Sequence, residues 1–356
     1  MANEFCRFLS NGLSLDLNQL PVGAKPCCWF KSSVPFESKN SLDHLHSVNH
    51  WTPDCRVCKQ QEDSGLNSFR MASFDIVPDT VDSGMPTALD INLDFECNAA
   101  CIMCGPQFST LWEKELKKFN IIHTPTQSIK QEKILKLLDK LDLSQVRRIK
   151  FFGGEPLFND IHLEILKKFP NPGDIDVWYT TNASIYPKQQ VLDIWAKFKL
   201  VYFEASVDGT DEQFDYIRWP LKWNKVQDNL LRLREEAPSN VLFRINHTVN
   251  PFNVLYYNRL LEWVNTKFAT NRFTDPTEIN IHPCWGTWAL TKTPVELRDK
   301  VNQMYPDSNI SNLLKNTQID NDYSAISNFV KQWDGRRKNS WKLAFPELTE
   351  YFKIDQ

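Results

Sequence analysis

The chain has 356 residues, of which 42% are hydrophobic, so it can bury one large core or two smaller ones. Its 41 basic and 44 acidic residues leave a formal net charge of -3, which argues against nucleic acid or an anionic membrane as a partner. No apolar run approaches the ~20 residues that cross a bilayer, and the start of the chain shows no signal-peptide pattern. The sequence therefore predicts a cytoplasmic globular protein.

Residues 1–85 form the first predicted segment. Turn residues at Asn11-Gly12 and between Pro21 and Pro26 surround a predicted two-stranded ribbon, and no long helical pattern is visible. Small modules with little core depend on staples such as metals. The segment holds five of the nine cysteines of the chain, namely Cys6, Cys27, Cys28, Cys55 and Cys58. We therefore predict a small, cysteine-rich, metal-stapled module over residues 1–85.

From residue 86 to residue 288, short β-rich runs alternate with helical stretches, a pattern typical of βα units around a mainly parallel sheet. Two apolar stripes indicate helices, one around Ile134 to Leu141 and one around Val191 to Phe198. The predicted strands are Leu89–Phe95, Arg148–Phe152, Asp176–Tyr179, Val201–Ala205, Leu242–His247 and Glu278–His282. The fold class is α/β.

Polar residues, glycines and cysteines follow the predicted strands. In a parallel βα barrel, the carboxyl ends of the strands meet at one rim, where the chemistry of such enzymes takes place. Each loop alone could equally carry ordinary turn and cap residues. The residues at the six strand ends are Cys97 to Cys104, Gly153-Gly154-Glu155, Thr180-Thr181-Asn182, Ser206 to Gly209, Thr248-Val249-Asn250 and Pro283 to Gly286.

Residues 289–356 are polar and predicted to be helical. A basic run near the end is interpreted as a solvated helix face. It consists of Lys331, Arg336, Arg337, Lys338 and Lys342.

Cys97, Cys101 and Cys104 fall within eight positions, and clusters of this kind in a reducing compartment indicate metal rather than disulfides. Three thiolates can each bind one iron of a 4Fe-4S cubane and leave the fourth iron open to a substrate, much as a catalytic zinc keeps one position free. Two alternatives stay open. The three cysteines could bind zinc with His123 or another residue, or Cys101 and Cys104 could be a redox pair, although a redox pair would not need Cys97.

The pattern Cys97-x3-Cys101-x2-Cys104 after the first strand, GGEP after the second and SVDG after the fourth resembles the radical S-adenosylmethionine (radical SAM) superfamily. The resemblance covers about residues 88–288. It implies a partial (β/α)6 TIM-like barrel whose cluster is held by the three cysteines and whose open iron is chelated by SAM. It also implies reductive cleavage of SAM to methionine and a 5'-deoxyadenosyl radical, which abstracts a hydrogen atom from the substrate.

The same resemblance implies a set of residues that contact SAM. Gly153, Gly154 and Glu155 would present backbone groups to the methionyl ammonium, and Arg218 would meet the carboxylate. Arg218 could instead be a surface helix charge. Met103 stands where the superfamily often has an aromatic residue beside adenine, so adenine recognition would differ in detail. The remaining candidates for SAM contacts are Thr180, Asn182, Ser206, Asp208 and Val249.

The upstream cysteines resemble those of SPASM/twitch-type radical SAM proteins, which bind auxiliary clusters. There the auxiliary module commonly follows the barrel, whereas here it would precede it. Cys6, Cys55, Cys58 and either Cys27 or Cys28 would hold a second 4Fe-4S cluster. Structural zinc at the same thiolates, with His44, His46 or His50, is the alternative. Cys284 lies at the sixth strand end, and three roles stay open for it. It could fill space in the core, bind the auxiliary cluster, or donate a hydrogen atom to a substrate radical as a catalytic residue.

The resemblance implies an enzyme that activates a C–H bond, either as an oxidoreductase or as a transferase that modifies peptides. Its substrate would be a peptide or protein side chain, with a sugar, nucleotide or small metabolite as the alternative. An electron donor such as flavodoxin or ferredoxin would reduce the cluster. A zinc-stapled binding protein without catalysis and a thiol oxidoreductase remain alternatives from other classes.

Overall fold

The computed structural model describes residues 5–16, 22–36, 50–63, 65, 67–78, 86–123, 131–268 and 279–354, without the side chains of residues 131–133. A nine-stranded sheet runs through these residues. Its strands in chain order are β1 (Gly12–Asp16), β2 (Gly23–Lys25), β3 (Val34–Pro35), β4 (Ala88–Asn92), β5 (Arg148–Phe152), β6 (Asp176–Thr181), β7 (Leu200–Ser206), β8 (Val241–Val249) and β9 (Ile279–Pro283).

The strand order is β3-β2-β1-β4-β5-β6-β7-β8-β9. All neighbouring pairs from β1–β4 to β8–β9 are parallel, while β1–β2 and β2–β3 are antiparallel. On β7, Val201, Phe203 and Ala205 are fully buried on one face, whereas Tyr202 and Ser206 on the other face are half-buried and Glu204 between these two is buried in an ion pair with Lys150. Because strand side chains alternate between faces, one face packs under the helices and the other lines the barrel interior. The architecture is a partial TIM-like barrel.

The six predicted strands are confirmed as β4 to β9, with boundaries that differ by up to three residues; Glu278 lies outside the described residues. The helices that alternate with them bury the predicted apolar stripes, for example Ile134 and Leu138, and Val191 and Trp195. The helices of this region are α4 (Thr110–Lys118), α5 (Gln131–Leu138), α6 (Ile161–Leu166), α7 (Gln189–Trp195), α8 (Asp211–Ile217), α9 (Trp223–Glu236) and α10 (Tyr257–Trp263).

The N-terminal residues join the barrel sheet. The predicted ribbon is present as the antiparallel pair β1 and β2, and β1 also pairs with β4 in parallel register, Gly12 opposite Ala88. The segment reaches the last strand as well, since the rings of Trp29 and His282 lie 5.6 Å apart. The division at residue 85 stays a prediction. The helices of this segment are α1 (Arg7–Asn11), α2 (Arg56–Asp63) and α3 (Phe69–Ile76).

The C-terminal residues are helical, as predicted. Four members of the basic run are exposed, but Arg337 is buried, so the interpretation of the whole run as a solvated face is wrong at this position. Arg337 is buried because an acidic partner and aromatic rings surround it. None of the described helices combines the length and the apolarity that crossing a membrane requires. The C-terminal helices are α11 (Val295–Met304), α12 (Asn309–Lys315), α13 (Ser324–Arg337) and α14 (Trp341–Ala344).

Candidate functional site

Three cysteines lie together on one loop, residues 97–104, which follows the carboxyl end of β4. Cys101 is buried, and Cys97 and Cys104 are half-buried. Burial raises the pKa of the Cys97 thiol and that of the Cys104 thiol, the latter to about 12, and a negative charge on Cys101 raises both further. The three sulfur atoms therefore influence one another. Ionised thiolates close to one another repel, so a cationic metal centre would favour their deprotonation.

The donor set of three cysteines on one loop fits a 4Fe-4S cluster. Within the described part of the chain, no three His, Cys, Asp or Glu side chains are arranged to hold one ion. In a cubane each thiolate binds a different iron, so the sulfur atoms need not converge on one point. His123, the proposed fourth zinc ligand, faces elsewhere. Its Nε2 lies 3.6 Å from Glu113 Oε1, and its Nδ1 lies 3.2 Å from the Ile121 carbonyl.

The start of α4 holds the cysteine loop in place. Ser109 caps this helix by accepting a hydrogen bond from the Trp112 amide at 3.2 Å, and its hydroxyl donates to the Ala99 carbonyl. The Thr110 hydroxyl accepts from the Cys97 amide and donates to the Cys97 carbonyl, both at 3.2 Å. These positions were not predicted from the sequence, although Ser109 before an apolar-periodic run is an N-cap signal.

The GGEP loop packs directly against the segment that leads into the cysteine loop. The Gly154 amide donates to the Asp94 carbonyl at 2.8 Å, and the Glu155 amide donates to the Glu96 carbonyl at 2.7 Å. A Cβ atom at Gly154 would lie 2.2 Å from the Glu96 carbonyl oxygen. Gly153 adopts a φ of +126°, which disfavours any side chain. The sequence analysis attributed these glycines to the approach of a ligand, and the structure adds the close approach of the neighbouring backbone.

The side chain of Glu155 connects the second strand end to the third. Its carboxylate is buried and accepts hydrogen bonds from the Thr181 hydroxyl at 2.7 Å, from the Asn182 amide at 2.7 Å and from the Leu157 amide at 3.1 Å. Burial raises the pKa of this carboxyl, and the three hydrogen bonds oppose that rise. Since an ammonium donates hydrogen bonds, the backbone groups of this loop that could accept from a methionyl ammonium are its carbonyls and not its amides.

Asn182 lies against the cysteine loop. Its Nδ2 donates to Asn98 Oδ1 at 2.9 Å and lies 3.9 Å from the Cys97 sulfur, while Asn98 Nδ2 donates to the Ser184 hydroxyl at 2.9 Å. A hydrogen bond to a cluster sulfur stabilises its negative charge. Asn98 was not predicted from the sequence; its only signal is its position between two of the cysteines.

Arg218 follows α8 and is buried, so the alternative of a surface helix charge is wrong. Its Nε donates to Asp208 Oδ2 at 2.7 Å, and Asp208 is fully buried at the end of β7. Burial raises the pKa of the Cys101 thiol, and the positive charge of Arg218 opposes this rise. Asp208 and Arg218, both predicted to contact SAM, therefore form an ion pair beside the cysteine loop.

Cys284 lies at the same rim. It is buried, its amide donates to the Val249 carbonyl at 2.8 Å, and Val249 is buried too. Burial raises the pKa of the Cys284 thiol to about 12, and the charges of Asp208 and Cys104 raise it further. Met103 is half-buried and packs on the core. The structure thus brings Cys284 and Val249 to the rim that carries the cysteine loop.

The rim candidates on β6 and β7 lie at two levels. Ser206 ends β7 and is half-buried, opposite Asn246 of β8. Thr180 lies lower, because its hydroxyl donates to Glu204 Oε2 at 2.9 Å, and Lys150 pairs with the same oxygen at 2.7 Å. Thr180 therefore belongs to the barrel interior rather than to the rim loops.

The barrel interior below the rim is polar and aromatic, which the sequence analysis did not predict. Arg148 pairs with Asp90 at 2.5 Å, in addition to the pair of Lys150 with Glu204. The rings of Trp178 and Tyr202 stack at 3.8 Å, and the Arg244 guanidinium lies 4.8 Å and 5.3 Å from their centroids. A TIM barrel that is only a packed core carries branched apolar residues here. These charged and aromatic side chains distinguish the interior of this barrel, which we call the lumen, from such an apolar core.

The N-terminal cysteines divide into a group of four and one separate residue. Cys6, Cys27, Cys55 and Cys58 line one small cavity, together with apolar residues such as Phe8 and Phe30. The pKa of the Cys27 thiol lies well above its ordinary value, mainly because of burial and then because of negative charge on the adjacent Cys28, on Cys6 and on Cys58. These four thiols therefore face one another.

Cys28 faces away from this cavity. Its amide donates to Asp90 Oδ2 at 3.3 Å, and burial together with the Asp90 charge raises the pKa of its thiol. Asp90 lies in the lumen. Of the three histidines considered for zinc, His50 is exposed, and His44 and His46 lie outside the described residues.

Residues 92–250 match the model of the family described as the Radical SAM superfamily. This range contains the cysteine loop, the GGEP loop and the Asp208–Arg218 pair. A search of curated proteins found no match.

Three solved structures illustrate the structural comparisons. The first is anSMEcpe with bound AdoMet, with a TM-score of 0.41 and 14% sequence identity over 65% of this chain and 62% of that chain. The second is Streptococcus suis SuiB bound to S-adenosylmethionine, with a TM-score of 0.40 and 16% identity over 75% of this chain and 56% of that chain. The third is TYW1 with a lysine-pyruvate adduct bound, with a TM-score of 0.30 and 16% identity over 64% of this chain and 74% of that chain. The chain covers less than two thirds of the length of the first two. At these TM-scores we base no argument on the likeness.

Proposed function

The chain belongs to the radical SAM superfamily, and we propose that it cleaves SAM reductively to abstract a hydrogen atom from a peptide or protein side chain. One observation carries the proposal. Cys97, Cys101 and Cys104 lie on one loop that follows β4 at the rim of the barrel, within the residues that match the Radical SAM superfamily model. Three thiolates for a cubane leave one iron without a protein ligand, which is the position that SAM requires.

The rim residues have separate roles in this proposal. Cys97, Cys101 and Cys104 would hold the cluster, which with SAM bound supplies the electron for cleavage to methionine and a 5'-deoxyadenosyl radical. The carbonyl groups of the GGEP loop would accept from the SAM ammonium. The Arg218 guanidinium would pair with the SAM carboxylate, since a planar guanidinium matches a carboxylate through two hydrogen bonds. Asp208 fixes this guanidinium beforehand, which lowers the cost of ordering it.

Five further residues would shape the SAM pocket. Their positions on the rim and in the upper lumen support contacts with the nucleoside, and Asn182 would also hold the cysteine loop. Cys284 would face the reacting atoms as a neutral thiol, because burial keeps its pKa high. The five residues are Met103, Thr180, Asn182, Ser206 and Val249.

A second 4Fe-4S cluster would occupy the N-terminal cavity, held by Cys6, Cys27, Cys55 and Cys58. Four thiolates fully ligate a cubane, so this cluster would transfer electrons rather than bind SAM. It would accept the electron left after substrate oxidation. The contact of Trp29 with His282 supports this role, because it joins the N-terminal segment to the barrel.

The chemistry is tested on anaerobically purified protein. We expect a brown protein with about eight iron atoms per chain, which releases 5'-deoxyadenosine from SAM after reduction. Replacing Cys97, Cys101 and Cys104 with Ala abolishes this release. Replacing Cys55 and Cys58 with Ala lowers the iron content by about half and leaves uncoupled SAM cleavage, which makes it the matched control. A colourless protein with zinc at both sites would mean that the chain is a zinc-stapled binding protein.

The substrate class is tested with extract fractions. A fraction that stimulates 5'-deoxyadenosine release is divided, and one half is digested with a protease that is then inactivated. We expect the stimulation to disappear after digestion, because the substrate is a peptide or protein. Stimulation that survives digestion would identify a sugar, nucleotide or small metabolite as the substrate instead. Adding flavodoxin or ferredoxin with its reductase in place of a chemical reductant tests the electron donor in the same assay.

A further inference from the structure

Arg337, the last residue of α13, is a buried cation whose ion-pair partner belongs to the helix that follows the cysteine loop. Its Nη2 lies 2.7 Å from Glu115 Oε2, and the side chains of Arg337 and Glu115 are 3% and 8% exposed, respectively. Glu115 lies on α4. The pair therefore joins the C-terminal extension, which lies outside residues 92–250, to the barrel.

Aromatic rings enclose the guanidinium of Arg337. Its central carbon lies 4.4 Å from the ring centroid of Trp112, 4.7 Å from that of Trp219 and 4.9 Å from that of Trp333. Contacts of this length are attractive cation–π interactions, and they are strongest where water is excluded. The side chain is thus fixed by one carboxylate and three indole rings.

Two of these three tryptophans also hold the cysteine loop. Trp112 Nε1 donates to the Cys101 carbonyl at 2.9 Å, and the Trp219 carbonyl accepts from the Ala100 amide at 2.7 Å. The loop is therefore held at two successive residues by partners that both contact Arg337. The positive charge of Arg337 reaches Cys101 itself, because it opposes the rise that burial causes in the pKa of the Cys101 thiol.

We infer that Arg337 is a positioning residue for the catalytic cluster and that its positive charge raises the reduction potential of that cluster. The inference rests on the proposed function, because it requires a cluster at Cys97, Cys101 and Cys104. Reduction adds one negative charge to the cluster, and a nearby cation in a medium of low dielectric constant stabilises that charge.

Packing alone does not explain an arginine here. Burying an ion pair costs desolvation energy, and well-packed apolar residues of similar volume often stabilise a protein equally well. Trp112, Trp219 and Trp333 already form an apolar environment that a methionine would fill. A charge retained in such a place is expected to act on another charge, and the cluster is the charged group held by the residues that Arg337 contacts.

The test is a redox titration of the holoenzyme, followed by electron paramagnetic resonance of the reduced SAM-binding cluster. Three variants separate charge from packing. Arg337→Met removes the positive charge, Glu115→Gln removes the negative charge and keeps a hydrogen-bond acceptor, and Arg337→Lys keeps the positive charge. Iron content and circular dichroism show that each variant is folded and loaded.

We expect opposite shifts. At a fixed applied potential, the ratio of reduced to oxidised cluster falls about tenfold in Arg337→Met and rises about tenfold in Glu115→Gln, which for a one-electron couple corresponds to about 59 mV in each direction. Arg337→Lys stays near the wild type. If Arg337→Met fails to fold, the inference is tested by the other two variants: the reduction potential should rise in Glu115→Gln and stay near the wild-type value in Arg337→Lys.

Two outcomes are distinct. Fully loaded variants whose potential is unchanged, or in which Glu115→Gln and Arg337→Met shift in the same direction, overturn this inference and leave the proposed function intact. A wild-type protein that binds no iron overturns the proposed function and this inference with it.

Discussion

The Asp208 carboxylate holds the Arg218 guanidinium through a single oxygen. Both Nε and Nη2 of Arg218 lie 2.7 Å from Asp208 Oδ2, and Asp208 Oδ1 accepts a hydrogen bond from the Thr248 amide at 2.7 Å. The aspartate is fully buried, so one carboxylate fixes the ends of two strands and one guanidinium. The orientation of Arg218 at the rim is therefore set before any ligand binds.

Replacing Asp208 with Asn should destabilise the protein strongly. The substitution keeps the size of the side chain but leaves a buried guanidinium without its counter-charge, which costs about 3–5 kcal/mol. We expect urea unfolding, followed by tryptophan fluorescence, to show this loss. The matched control is Lys167→Met, which breaks the exposed pair of Lys167 with Glu164 and should change stability by less than about 0.5 kcal/mol. Equal effects of the two variants would contradict the assignment of a buried pair.

Gly154→Ala should disrupt the proposed SAM site, whereas Gly173→Ala should not. The new methyl group at Gly154 would meet the Glu96 carbonyl, so the backbone between β4 and the cysteine loop must move. A displacement of about 1 Å at a reacting centre can cost about 100-fold in rate, so we expect at least a tenfold loss of 5'-deoxyadenosine release. Gly173 has no atom within 4 Å of its added Cβ. A Gly154→Ala protein with wild-type SAM cleavage would show that this contact is not needed.

Cys27 and Cys28 should differ in their effect on the second cluster. Cys27 lines the N-terminal cavity with the three other thiols, while Cys28 faces Asp90 in the lumen. We expect Cys27→Ser to lower the iron content by about half and Cys28→Ser to leave it unchanged, because only the first removes a ligand of a fully ligated cubane. Iron analysis and the visible absorption of anaerobic protein measure this. The reverse pattern would assign the ligand to Cys28.

His162 should make the stability of the protein depend on pH. It is buried and its Nδ1 lies 2.7 Å from the Tyr179 hydroxyl, and burial lowers its pKa from the ordinary 6.5 to about 4. A lowered pKa means that this contribution to stability is present above pH 6.5 and is lost as the pH falls through about 4. Between pH 7 and pH 5 the loss amounts to about 2 kcal/mol.

The comparison is with His162→Gln, which removes the titrating group and keeps a polar side chain. We expect urea unfolding midpoints of the wild type to fall between pH 7 and pH 5 by more than those of the variant. Other histidines titrate in both proteins, so only the difference between the two slopes is read. Identical slopes would show that His162 is not buried as a neutral imidazole.

The sequence by itself determined the six parallel strands of the barrel and which residues follow each of them. Strand alternation is a local pattern, and parallel strands bring their carboxyl ends to one edge whatever the details of packing. The positions of Cys97, Gly154 and Asp208 just after predicted strands were therefore enough to predict that they share one rim. The polar lumen was not predicted, because a short strand pattern does not reveal which face lines a barrel.

Only the tertiary structure decided which neighbours act together. Cys27 and Cys28 are adjacent, yet Cys27 faces the N-terminal cavity and Cys28 faces the lumen. Consecutive side chains project in different directions, and the packing of the surrounding elements determines which of the two lies in the cavity. The sequence predicts that Arg337 is one of several exposed charges in a basic run, but in the structure it pairs with a glutamate 222 positions earlier. Contacts at such separations depend on how helices pack, and no local pattern records them.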